Sequence, residues 1–126
     1  MEHIGKLILR LVMGCMMLIH GIPKFKSLIS SVEVDFPDPI GIGPTASLFL
    51  TVIAEFLCAS LIVIGYKTKW ATIPLIITML VAGLIFHWSD PWHEKEHALL
   101  YAGGYLAIYF LGPGKYSLDE KYTSGQ

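Results

Sequence analysis

Charge is what this sequence has least of. Charged residues make up 15% of its 126 positions, where a soluble domain usually carries about 25%. Basic and acidic residues nearly balance, 9 against 10, for a net charge of -1, so the basic face that a nucleic-acid-binding protein needs is missing. Cysteine is scarce as well. Cys15 and Cys58 each sit inside an apolar run, with no C-x-x-C pair and no secreted spacing, which argues against a disulfide scaffold; both read as packing residues, with a redox pair as the minority reading. No glycine-rich nucleotide loop is present, and no credible Ser-His-Asp set.

What fills the space is apolar: 54% of the residues are hydrophobic, and they come in four runs. The runs cover about 4–22, 45–64, 70–87 and 94–111. The first three reach the roughly 18–20 residues that a membrane-crossing helix requires. The fourth is apolar only from Ala98 to Leu111, so it is expected to begin near residue 94 with a polar first turn, and Gly112-Pro113-Gly114 ends it. A soluble bundle would need a polar stripe on every helix, and the second and third runs have almost none. A cleaved signal peptide does not fit either, because His20-Gly21-Ile22-Pro23-Lys24 is no small-residue cleavage site. The expected fold is all-α, an integral membrane four-helix bundle with residues 1–126 as a single transmembrane domain.

Basic residues divide between the two ends of such a bundle. Lys6, Arg10, Lys67, Lys69, Lys115 and Lys121 fall on one side. Lys24, Lys26 and Lys95 fall on the other, diluted by Glu33, Asp35, Asp38, Asp90, Glu94 and Glu96. The positive-inside rule then puts both termini in the cytoplasm. In the first outer connection, residues 24–31 are expected to lie as a short amphipathic piece at the interface, followed by an extended return through Pro37, Pro39, Gly41 and Gly43. Trp88 and Trp92 suit the headgroup level in the second. Pro74 is expected in the first turn of the third helix, where proline is tolerated.

An ionisable side chain inside a span is costly and needs a partner or a purpose. Arg10 stands roughly 9 Å, and Glu55 roughly 13 Å, from the cytoplasmic ends of their runs. Similar depths predict a buried Arg10–Glu55 ion pair, either fixing helix register or serving proton or ligand chemistry. His20, Lys24, His87, Glu96 and His97 are expected to gather at the outer end, since His20 closes the first run, His87 closes the third and His97 opens the fourth. They are the candidate ligand-binding cluster, weighed against separate interfacial histidines that merely face water. His93-Glu94-Lys95-Glu96-His97 matches H-E-x-x-H, the zinc-protease string. Both x positions are charged, and Glu120, the sole later glutamate, would lie across the membrane as a third ligand. Protease activity is therefore not expected, and His87, His93 and His97 stand only as minor metal candidates. His20 and His87 could also ligate a haem axially. Gly14, Gly21, Gly83, Gly103, Gly104 and the Ala98/Ala102 pair are small residues that let helices approach.

Several of these stretches, taken in order, resemble the DoxX family of small four-helix membrane proteins. They are Leu9-Arg10-Leu11 with Gly14, His20-Gly21 with Lys24, Ala54-Glu55-Phe56-Leu57, Ile64-Gly65-Tyr66-Lys67-Thr68-Lys69, Thr78-Met79-Leu80-Val81-Ala82, Glu96 before Ala98-Leu99-Leu100, and Gly112-Pro113-Gly114-Lys115-Tyr116-Ser117-Leu118-Asp119. The likeness covers nearly the whole chain, and its last stretch is the most specific. It implies a multi-pass protein of the bacterial inner membrane. The family name traces to a membrane subunit of an archaeal thiosulfate:quinone oxidoreductase, and other relatives are linked to redox complexes and oxidative-stress defence. The resemblance therefore implies a membrane subunit of a quinone-linked oxidoreductase, with partner subunits or a homo-oligomer around it. The alternative is a non-catalytic anchor, assembly factor or small-solute carrier. Arg10, His20, Lys24, Glu55 and Glu96 fall on the family's polar positions; His87, His93 and His97 are less typical of it.

Overall fold

The computed structural model describes residues 1–30 and 35–124, and every regular element among them is helical. Four long helices, α1 (Glu2–Ile29), α2 (Pro44–Ile64), α3 (Thr68–Phe86) and α4 (Trp92–Leu111), are followed by a short α5 (Leu118–Ser124). The first three are long and apolar enough to cross a bilayer. α4 has 20 residues, but Glu94, Lys95 and Glu96 occupy its first two turns. Large apolar side chains such as Ile19, Trp70, Ile77, Leu100 and Phe110 point outwards. Acyl chains satisfy such a surface, because lipid asks only that backbone groups be bonded internally.

The helices differ from the apolar runs at two prolines. α1 does not stop at Ile22 but continues through Pro23 to Ile29. Proline removes one N–H from the ladder, and transmembrane helices absorb that loss through local adjustment. Residues 24–29 therefore extend α1 rather than forming a separate interfacial piece, while Ser31 and Glu33 lie outside the described residues. α3 opens at Thr68, so Pro74 falls in its second turn, not its first. Both α2 and α3 change to wider π-helical turns, α2 over Ile53–Cys58 and α3 over Ala82–Phe86. Such turns recur at functional sites, where they re-aim a side chain.

Small residues set the helix contacts. A Cβ on Gly21 would stand 2.2 Å from the Glu55 carbonyl oxygen, and one on Gly14 would stand 2.5 Å from Val63. Gly83 meets Ala98, and Gly104 meets Met13. Gly103 differs from expectation, since its position faces open space. Cys58 belongs to the core with Ala59, Ile62, Leu75, Tyr105 and Ile108, whereas Cys15 is exposed.

One end of the bundle is closed by a clamp. Gly65 ends α2 in the left-handed conformation (φ 73°), and a side chain there would also strike Ser117 and Arg10. Arg10 is 1% exposed. Its guanidinium donates to the carbonyls of Ile62 and Val63, each at 3.0 Å, to Pro113 at 2.9 Å, and to Tyr116. The first two lie in the last turn of α2, at the negative pole of its dipole, where Ile62 also accepts from the Gly65 N–H at 3.2 Å. Asp119 completes the clamp. Its carboxylate accepts from the N–H groups of Lys67 (2.6 Å) and Thr68 (2.8 Å) at the start of α3, and its own N–H donates to the Gly65 carbonyl at 2.8 Å. The most recognisable stretches of the sequence are thus one mechanical joint.

Candidate functional site

The register fixed by Gly14 and Gly21 decides which charges can meet. Glu55 lies level with Gly21, about 16 Å along α1 from Arg10. The expected Arg10–Glu55 pair therefore does not form. Arg10 spends its donors on carbonyls, and Glu55 pairs with Lys24, one turn beyond Gly21. Lys24 Nζ stands 2.9 Å from Oε1 and 2.7 Å from Oε2 of Glu55. The two depths are comparable only from the ends of the apolar runs, and α1 is longer at both ends than its run.

Longer α1 also moves His20. It stands about 14 Å below the outer end of its helix rather than closing it. His20 is exposed on the flank of the bundle, its ring edge-on to Tyr101 with 6.1 Å between centroids. The five-residue outer cluster consequently divides. His20 and Lys24 lie lower, whereas His87, Glu96 and His97 lie at the end away from the Arg10 clamp, the last two exposed on α4. His87 hydrogen-bonds Asp90 through Nδ1 at 2.7 Å. His93 is exposed and 3.3 Å from its neighbour Glu94. Among the described residues no three His, Cys, Asp or Glu side chains converge as a metal-holding group, so His87, His93 and His97 are not brought together. His20 and His87 lie at different heights, which does not suit them to the two faces of one haem.

Beside the ion pair lies a cavity of about 640 Å³. α2 contributes Ser47, Leu50, Thr51, Ile53 and Glu55 to its wall, α3 contributes Ile77, Thr78, Met79 and Phe86, with His87 just past its end, and the loop before α2 contributes Phe36, Pro37, Pro39, Ile40 and Ile42. Both π-helical turns border it. The lining is apolar apart from Lys24–Glu55, the three hydroxyls and His87 at the outer end. Lys24 also faces the Phe36 ring at 6.0 Å, which ties the loop to the ion pair. Ligand sites are commonly built in this way, as an apolar cleft with a few oriented polar groups. At 4% exposure the Glu55 side chain is far drier than that of Lys24 at 33%. An ionisable pair at this depth is a mark of function in membrane proteins.

Asp38 holds the loop. Its carboxylate accepts from the N–H groups of Ile42 (2.9 Å) and Gly43 (2.8 Å) and from the Ser47 hydroxyl (2.9 Å). Desolvation pushes the Asp38 carboxyl upward, but the bonds from Gly43, Ser47 and Ile42 together outweigh it and hold the group below the usual carboxylate range. A lowered value means the carboxylate's contribution is present above the ordinary pH of aspartate and fades as pH falls through the value in the folded state. Hydrogen exchange of the amides of residues 41–43 is expected to accelerate on acidification in the wild type. The acceleration should vanish in Asp38→Asn, whose exchange is fast throughout. An unchanged acid profile in Asp38→Asn would contradict this role.

Ser47, Thr51, Thr78 and Asp38 escaped the sequence reading because uncharged hydroxyls and loop carboxylates are unremarkable in type. Their signal was spacing: Ser47, Thr51 and Glu55 recur every four residues and so share one face of α2.

The architecture and site define a helical membrane protein with an ion-paired, apolar interior cleft. The DoxX family model matches residues 5–88, and the chain belongs to the DoxX family. It is 27% identical to the uncharacterized membrane protein Rv3486 of Mycobacterium tuberculosis, in an alignment covering 91% of this chain and 79% of that protein. It is 31% identical to the Surfeit locus protein 4 homolog of Schizosaccharomyces pombe over 64% of this chain and 30% of that much longer protein. No solved structure matches the chain.

Proposed function

We propose that the protein is the quinone-binding membrane subunit of an oxidoreductase complex, crossing the bacterial inner membrane four times with both termini in the cytoplasm. The observation that carries this reading is the Lys24–Glu55 pair in the wall of an apolar cavity. A quinone needs a slot for its ring and tail, a donor for a carbonyl oxygen, and a group that exchanges protons. Lys24 has a third N–H beyond the two that face Glu55. It donates to the quinone oxygen, and Glu55 exchanges the proton. The cavity follows α3 from Pro74 to His87, about 20 Å, long enough for a ring with part of an isoprenoid tail. Four crossings are supported by α4, which runs from the outer end to the clamp, and orientation by the basic residues gathered there. Lys115 donates its N–H to His3 at 3.0 Å, which brings the start of α1 against the segment that follows α4.

The test is binding of a short-tailed quinone to the purified protein in nanodiscs. Saturable binding by the wild type and at least about tenfold weaker binding by Lys24→Met and Glu55→Gln are expected, the loss of one charge-assisted hydrogen bond. Equal affinity in all three would overturn the reading. The non-catalytic anchor remains as a second reading, favoured by one observation: Glu94, Glu96 and His97 stand exposed on the outer turns of α4, outside the cavity and open to a partner. In that case their substitution would abolish complex assembly and leave quinone binding unchanged.

A further inference from the structure

A carboxylate at mid-membrane can exchange protons only if something connects it with water. The interior of the bundle offers no such connection on most sides. α1 presents Lys24 to Glu55, and α4 carries Tyr101 and Tyr105, their rings stacked with 6.1 Å between centroids. Tyr105 is fully buried and its hydroxyl donates to the Met13 carbonyl at 3.0 Å, so that path ends in the core. His20 lies beyond Tyr101 on the flank of the bundle, about 14 Å below the outer end of α1. Across the cavity, α3 presents Thr78 at the depth of the pair and His87 at the outer end.

The face of α2 that lines the cavity differs from all of these. Ser47, Thr51 and Glu55 follow one another at four-residue intervals, each about 6 Å further along the axis, and all three border the same space. The outermost, Ser47, donates its hydroxyl to Asp38 at 2.9 Å, and Asp38 is exposed. Thr51 donates to the Ser47 carbonyl at 2.8 Å, leaving its oxygen lone pairs toward other donors. Each 6 Å gap is one that a water molecule can bridge, provided it finds polar partners at both ends, and this column supplies them. At about 30 Å³ per water, the cavity holds a short file of waters beside an apolar ligand.

We propose that Asp38, Ser47 and Thr51 form a proton route along α2, joining the water outside the loop to the Lys24–Glu55 pair at mid-depth. The proposal deepens the reading of Glu55 as the group that exchanges a proton with a bound quinone, and it assigns the side of the membrane on which that proton appears: the outer one, away from the Arg10 clamp. A proton leaving the ligand goes to the Glu55 carboxylate, passes to water at Thr51 and then at Ser47, and leaves past Asp38. Reversing the order delivers one. No bond other than O–H or N–H bonds is made or broken, and the hydroxyls end as they began.

The route is tested without any ligand. Protein labelled with nitrogen-15 in lysine is placed in nanodiscs and switched to heavy water, and the isotope shift of the Lys24 side-chain nitrogen, assigned by its loss in Lys24→Met, reports exchange of the pair's protons. Thr51→Val, which keeps the side chain's shape and removes its hydroxyl, is expected to slow this exchange at least about tenfold, since the water file loses its middle partner. Thr51→Ser is expected to restore it. Ser60→Ala, which removes a hydroxyl of α2 that lies outside the cavity and donates to the Phe56 carbonyl, should exchange as the wild type does. Exchange in Thr51→Val at the wild-type rate, or equal slowing by Ser60→Ala, would overturn the route. Slowing by Thr51→Val in a protein that binds no quinone would sustain the route and sink the ligand reading, so the two can fail separately.

Discussion

Arg10→Met is expected to destabilise the protein by about 3–5 kcal/mol, the range seen when a buried charge network loses its central member. Methionine fills a similar volume but offers no donors, so the carbonyls of Ile62, Val63, Pro113 and Tyr116 lose their shared partner. Two of these belong to the last turn of α2, where Ile62 keeps the 3.2 Å bond from the Gly65 N–H and Val63 loses its side-chain donor. Arg10→Lys should recover less than half of the loss, because one ammonium with three donors does not reach four carbonyls spread around a planar fork. The measurement is reversible unfolding in mixed micelles, combined with protease sensitivity of residues 113–122. The segment is expected to become cleavable in Arg10→Met while the four long helices still resist. If both substitutions unfold with the wild type, the clamp is not what holds this end together.

The second large effect concerns the ion pair, and it is asymmetric. Lys24→Met leaves the Glu55 carboxylate with 4% of its side chain exposed and no counter-charge, at an expected cost of about 3 kcal/mol. Glu55→Leu leaves an ammonium that is already a third exposed and sits on a long stem, so it can swing toward the loop and the outer interface; about half that cost is expected. The double variant should return to within about 1 kcal/mol of the wild type, because a fully apolar wall carries no orphaned charge. It should nonetheless bind no quinone. Stability regained with function lost is the signature of a pair kept for its chemistry. A double variant as unstable as the sum of the singles would contradict the direct pairing.

Much of the fold could be read from the chain because bilayers allow so few solutions. A run of apolar residues long enough to span must be a helix, so α2 and α3 were visible within a few residues. The need of Arg10 and Glu55 for partners was equally legible, since it follows from the cost of charge in lipid. Which partner each would take was not. Pairing depends on how far one helix slides past another, and that slide is set here by Gly21 seating on the Glu55 peptide, a contact of shape rather than charge. Pro23 misled for a related reason: it is a strong stop signal in water and a weak one in a packed membrane helix. A helix ending at Pro23 puts His20 and Lys24 at the wrong height and gathers into one cluster residues that stand at two levels. The role of the Gly-Pro-Gly-Lys-Tyr-Ser-Leu-Asp stretch was hidden for the opposite reason. Its local sequence announces a turn, whereas its partners lie more than 50 residues away at Lys67 and Thr68 and more than 100 away at Arg10.

That separation bears on how the molecule is made. Arg10 leaves the ribosome more than 100 residues before Pro113 and Tyr116 do. Until those two emerge the guanidinium has only the Ile62 and Val63 carbonyls to bond, and the headgroup region is the place that can shelter it. Residues translated long after α1 therefore lock it in place, and a chain shortened before Pro113 would enter the membrane with half of that charge still unclaimed.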